Sequence, residues 1–261
     1  MGLRPAAIQA SFPALVPRPP LTQNCRIMVI ETSPGRVADG ATAAAGLCDL
    51  MRQHTRELHM QAERSGIIRE LLQRRADRLG HGLHLRNLLP AYKALEANLE
   101  RHSGHPVLGE VRQPALYRGA AILSDLVQLF GPDWEDRLPL LDEAVAYAKR
   151  IDAATEADPA RLLAHAYVRY LGDLNGGRIL RDLMAKALEL DDSALSYFAF
   201  PQLGNSIAAA ADLRAILDQA GSRLPDQTSV IDEAAVAFRL SIGVSEAVKA
   251  AAIQLAARAG E

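Results

Sequence analysis

The chain has 261 residues, with 29 basic and 31 acidic side chains, a net charge of −2 and no long block of one sign. That balance leaves no electrostatic footprint for nucleic acid or anionic lipid, so any anion site must be local. Two cysteines, Cys25 and Cys48, lie in no CxxC or CxxCH pattern and support neither a disulfide framework nor a cysteine zinc site. With no run near the roughly 20 apolar residues that span a bilayer, a cytoplasmic protein is expected.

Residues 1–44 differ in kind from the rest, because Pro5, Pro13, Pro17, Pro19, Pro20 and Pro34 interrupt any helix and Gly/Ala/Thr-rich sequence follows. They are expected to form a disordered N-terminal extension, with any targeting role left open and Met28 as an alternative start. From Ala45 onward apolar residues recur three and four apart, which predicts an all-α fold, a single-domain compact multi-helix bundle over 45–258. Eight helices are expected, near 46–64, 66–79, 83–102, 113–130, 136–154, 158–189, 205–221 and 228–258. Gly131-Pro132-Asp133 should break one helix, Asp158-Pro159 should start another as N-cap and N1, and Phe200-Pro201 should end a segment. No repeat of solenoid length is present.

In the first helix Arg52, Arg56 and His59 follow at i, i+4 and i+7 and so share one stripe, with Glu63 four residues beyond the histidine. His59 could ligate iron through one ring nitrogen while Glu63 orients the other, and the arginines could pair with carboxylates at a ligand's edge. Taken alone, the same residues also describe a solvated helix face.

The segment Ala164–Gly177 is helical by periodicity yet holds Gly172, Gly176 and Gly177, each costing a helix about 1 kcal/mol relative to alanine. Gly172 and Gly176 share a face on which either a flat ligand or a closely packed helix could approach the backbone, and Gly176-Gly177 could kink the helix. Asp173, with Arg169 four residues earlier and Tyr167 and Tyr170 nearby, favours the ligand through a polar network able to hold water, although a structural ion pair has the same composition. His81 and His84 flank a glycine in an expected turn, and His102 and His105 surround an expected loop. No histidine has glutamate three residues before it, which argues against a ferritin-like iron site, and no GxSxG, P-loop or HExxH motif occurs.

The run AHAYVRYLGDLNGG at 164–177 closely resembles the signature of the heme oxygenases, and ELHMQAE at 57–63 resembles the segment bearing that family's proximal histidine. The similarity continues through Tyr92 in YKALE, Gly131-Pro132 with Trp134, Tyr147 in AYAKR, FAFP at 198–201 and Ala237-Phe238, covering about 45–250. The resemblance implies heme b, both substrate and cofactor, sandwiched between a proximal helix and a glycine-kinked distal helix. It implies His59 as the iron ligand, Gly172 and Gly176 against the heme, and a distal network of Asp173, Arg169, Tyr92 and Tyr147. Arg52, Arg56 and Arg214 match basic partners of the propionates, with Tyr167 near that edge.

The implied reaction is cleavage of heme to biliverdin, expected as the α isomer, with carbon monoxide and Fe2+. It uses O2 and electrons from an external donor, a ferredoxin or a flavoprotein reductase, and a biliverdin-using protein could accept the product. Three positions depart from the family pattern: Asn175 for serine, Ser241 for asparagine, and Ala210 where a basic residue is expected one turn before Arg214. The last bears on regiospecificity. The alternatives are a heme-binding or heme-sensing protein without turnover and, more distantly, a helical enzyme using Cys48 as nucleophile.

Overall fold

The order of the elements follows the hydrophobic pattern, and the departures from it are made by side chains reaching in from elsewhere in the chain. The computed structural model describes residues 45–259, so the expected extension over 1–44 lies outside the described residues. The helices are α1 (Leu47–His54), α2 (Arg56–Arg64), α3 (Gly66–Leu72), α4 (Arg78–Arg101), α5 (Gly119–Phe130), α6 (Trp134–Arg137), α7 (Asp142–Ala157), α8 (Leu162–Ala166), α9 (Gly172–Leu188), α10 (Ser206–Ser222) and α11 (Thr228–Ala259). No strand occurs among the described residues, and none of their helices is long and apolar enough to cross a membrane.

The first expected helix is two. The Thr55 hydroxyl donates to the Met51 carbonyl at 2.7 Å, and Thr55 adopts φ −104° and ψ 7° between α1 and α2. The second stops at Leu72, short of 79, and the chain then passes through left-handed Arg74 at φ 56°. α4 begins before the expected 83 because Asp77 caps it, accepting from the Gly80 amide at 2.8 Å. His81 and His84 therefore lie inside a buried helix and not in a turn. Gly82 is needed there for packing: a Cβ would stand 2.2 Å from the Phe130 ring.

The expected helix from 113 becomes a 3₁₀ turn at Pro114–Leu116 followed by α5 from Gly119. A carboxylate from α4 makes this start, Glu96 accepting from the Arg118 and Gly119 amides at 2.6 and 3.0 Å. Between α6 and α7, Asn87 bridges Pro139 and Leu141, donating to one carbonyl and accepting from the other amide. That bridge replaces the helix expected from 136. Asp158 caps as expected, accepting from the Ala160 amide at 3.0 Å, and Gly131 at φ 82° ends α5. The expected helix over 158–189 runs through a 3₁₀ turn (Pro159–Arg161), α8, a π turn (Tyr167–Leu171) and α9. Its irregularity precedes the glycines, and α9 continues through Gly176-Gly177.

α11 is the longest helix and packs against α1, α2, α3, α4, α7 and α8. Its Glu233, 1% exposed at the side chain, accepts from His165 at 3.2 Å and is held by Arg150 through two contacts. Burial works against the charge, but the His165 and Arg150 hydrogen bonds prevail and hold the carboxyl at about 2. Because the native value lies below the unfolded one, this stability is complete above about pH 5 and fades as pH falls toward 2. Glu233→Gln should cost about 3 kcal/mol in urea unfolding at pH 7 and flatten the loss of stability between pH 5 and 3. Equal acid slopes in both proteins would refute the assignment.

Candidate functional site

Two constellations expected from sequence meet along α11. On the first, His59 on α2 is 58% exposed at its side chain and sets its ring edge-on to Phe238 of α11, centroids 5.7 Å apart. The Glu63 carboxylate stands 3.8 Å from His59 Nδ1, which leaves Nε2 the ring nitrogen turned away from that partner. Phe238 and Ser241 lie one turn apart on α11, and Ser241 accepts from Arg169 at 3.5 Å. One helix face thus touches both the histidine side and the polar side of the site.

On the polar side, Asp173 is 8% exposed, and both of its carboxylate oxygens accept hydrogen bonds from phenols. Tyr92 donates to Oδ2 at 2.5 Å and Tyr197 to Oδ1 at 2.7 Å, distances typical of a charge-assisted O–H···O⁻ bond. Burial pushes the carboxyl above its ordinary value, opposed by Arg169 and the two phenols. The Arg169 guanidinium lies over the Tyr92 ring at 5.4 Å. The Tyr170 hydroxyl and Arg169 Nε are buried without a protein partner, and the Tyr147 hydroxyl sits beside Arg169 and Ser241 without a well-aligned bond, so these groups retain polar capacity for water or ligand. Beside Asp173 a cleft of about 220 Å³ opens between Leu174, Arg178, Phe198 and Phe200.

The glycine face distinguishes the two readings left open by spacing. A Cβ built on Gly172 or Gly176 meets no atom within 4 Å, so no helix among the described residues packs closely there. The bare backbone faces open space, as a flat ligand requires. A Cβ built on Gly177, by contrast, would stand 3.7 Å from the Phe198 ring.

The basic residues gather only in part. Asp49 on α1 pairs with Arg52 at 3.5 Å and with Arg214 of α10 at 3.2 Å, joining two of the three arginines at one carboxylate. Half-buried Tyr167 is pushed up to about 12, by burial first and Cys48 second, with the Arg214 and Arg52 charges opposing. Arg56 is exposed and forms no ion pair with the described residues. Where a basic residue was expected, Ala210 is buried.

Cys48 is fully buried, its thiol donating to the Arg214 carbonyl at 3.7 Å, and burial with nearby Asp218 pushes the thiol far up. Such a thiol is a poor nucleophile, which removes the Cys48 reading. Sequence reasoning missed Tyr197, Arg118, Asp125 and the His165–Glu233 pair. Tyr197 directly precedes the quoted FAFP run, yet nothing in its spacing links it to Asp173. No group of three or more His, Cys, Asp or Glu placed to hold a metal ion occurs among the described residues.

Because Gly176 is helical and unobstructed, Gly176→Ala should raise the stability of the ligand-free protein by about 0.5–1 kcal/mol. Thermal unfolding checks this, since a glycine needed for close packing would give a loss instead.

A family model described as heme oxygenase matches residues 45–247. Heme oxygenase 1 of Homo sapiens is 34% identical over 203 residues, 77% of this chain and 70% of its own. Heme oxygenase 1 of Nostoc sp. is 28% identical over 76% of this chain and 84% of its own. Among solved structures, heme oxygenase-1 from the cyanobacterium Synechocystis in complex with heme is similar with a TM-score of 0.74 at 26% identity, over 82% of this chain and 96% of that one. Heme oxygenase from Leptospira interrogans gives 0.73 at 31% identity, over 77% and 99%. Sequence and fold agree over most of the helical body, and the chain belongs to the heme oxygenase family.

Proposed function

We propose that this protein is a heme oxygenase that cleaves heme b to biliverdin, carbon monoxide and Fe2+, using O2 and electrons from an external donor. The observation that carries this reading is the open backbone at Gly172 and Gly176 beside the buried Asp173 network. A flat macrocycle can lie against that backbone, and its iron, when bound, supplies the redox chemistry.

The chain's own residues bind, orient and handle protons. His59 would ligate the iron through Nε2 while Glu63 on the Nδ1 side fixes the ring orientation. Arg52 and Arg214, with Tyr167, would receive the propionates, aided by their existing arrangement around Asp49, and Arg56 is the third basic group proposed for that edge. Asp173 would order water and pass protons through it, with Tyr92 and Arg169 setting its orientation and charge and the Tyr147 hydroxyl, beside Arg169 and Ser241, offering a further water site. Contacts from these basic residues to the propionates would fix rotation of the macrocycle and hence the carbon cleaved. The α isomer is proposed, from Arg214 without a second basic residue at Ala210. The chain carries no flavin or nicotinamide fingerprint, so a ferredoxin or flavoprotein reductase is the proposed donor.

Hemin added to the purified protein should give a histidine-ligated Soret band. Ferredoxin, its reductase and NADPH should then convert it to biliverdin and carbon monoxide in a catalase-insensitive reaction. Asp173→Ala should keep heme affinity within a few-fold and lower biliverdin yield about 10²-fold, whereas His59→Ala should chiefly lose iron ligation. A stable Soret band with every donor would replace this reading by a heme-binding or heme-sensing protein, and absence of heme binding would overturn both.

A further inference from the structure

Tyr197 brings a second phenol to Asp173, and the surrounding structure is built to aim it. The Tyr92 and Tyr197 hydroxyl oxygens are 3.0 Å apart and their rings meet edge-on at 5.9 Å, so the carboxylate is gripped from two elements distant in sequence. Tyr197 stands in a single 3₁₀ turn, Ser196–Phe198, too short to hold its own direction.

Two buried charges hold that turn from outside. Asp125 of α5, fully buried, accepts from the Ser196 and Tyr197 amides at 2.8 Å each. Arg118, just before α5 and 5% exposed, donates to the Tyr197 carbonyl at 3.3 Å and also to the Ala199 carbonyl. Burying a carboxylate and a guanidinium costs several kcal/mol, a large expense for closing one turn between α9 and α10. Arg118 also donates to the Ala115 and Leu116 carbonyls, so the turn that carries the Tyr197 hydroxyl is tied to the start of α5.

We infer that Tyr197 is a positioning residue for Asp173, fixing the plane of the carboxylate and stabilising its ionised form. Each Asp173 oxygen keeps a second lone pair, so water can still bind on the side away from the phenols. The groups facing this pair are Tyr92 on α4, Arg169 and Tyr170 in the π turn, Arg118 and Asp125 at α5, and Arg178 and Arg181 along the adjacent cleft. The consequence for turnover rests on the heme oxygenase reading, but the effect on Asp173 itself does not.

The test follows the Asp173 carboxyl carbon by 13C NMR in the full-length, heme-free protein, its resonance assigned with Asp173→Asn. Tyr197→Phe should raise the midpoint of the Asp173 titration by about one pH unit, the loss of one hydrogen bond to a charged acceptor. Replacing Tyr197 by 3-fluorotyrosine keeps the fold and makes a stronger donor, so the midpoint should move the other way. In the heme-loaded protein, Tyr197→Phe should shift the acid–alkaline transition of the ferric spectrum and lower biliverdin yield several-fold with heme affinity retained. Titrations coinciding with wild type in both replacements would overturn the inference, since a purely structural tyrosine leaves them unmoved. Failure of the wild type to bind heme would sink the proposed function while the heme-free titration still decides the role of Tyr197.

Discussion

A carboxylate in the middle of a helical core dominates this structure. Asp173 can be buried only because donors converge on it, and those donors come from α4 and from the turn after α9. Tyr92 must therefore project from a helix lined by buried Leu88, Leu95 and Leu99, and Tyr197 must be held by charges on a third element. Where Arg169 leaves the regular helical path in the π turn, its guanidinium reaches both the Tyr92 ring and Ser241. The irregular backbone falls at the polar site, as such bulges commonly do.

α11 does for the site what Asp173 does for the network. Along this one helix, Glu233 meets His165, Phe238 meets His59, Ser241 meets Arg169 and Ser245 reaches Ser65 and Ile68 at the start of α3. A helix that must satisfy all four cannot slide or rotate without exposing a buried polar group. The His59 side and the Arg169 side are thereby tied to one rigid element.

The edge that would meet propionates is organised differently. Its ion pairs around Asp49 are about half exposed and add little to stability. Their contribution is to keep Arg52 and Arg214 extended side by side, so less conformational freedom is lost when an anionic ligand arrives. A site with a rigid interior and an adjustable rim results.

Periodicity alone determined the helical class and most of the helices, because apolar spacing of three and four is imposed by burial of one helix face and survives without knowledge of the partner. Local caps were equally legible: Asp158 before Pro159 and Gly131 after α5 act through neighbours in the chain. The spacing of His59 to Glu63 and of Gly172 to Gly176 was legible for the same reason, as both pairs lie within one helix. What only the tertiary structure decided was every feature made by groups far apart in sequence. Glu96 starts α5, Asn87 bridges the entry to α7, and Tyr197 folds back from the turn beyond α9 onto Asp173 in the first turn of that helix. The open space over Gly172 and Gly176 belongs to the same class, since a helix sequence records its own missing side chains but not whether another element fills the gap. Hydrogen bonds and voids between elements depend on packing in three dimensions, and one-dimensional spacing carries no trace of them.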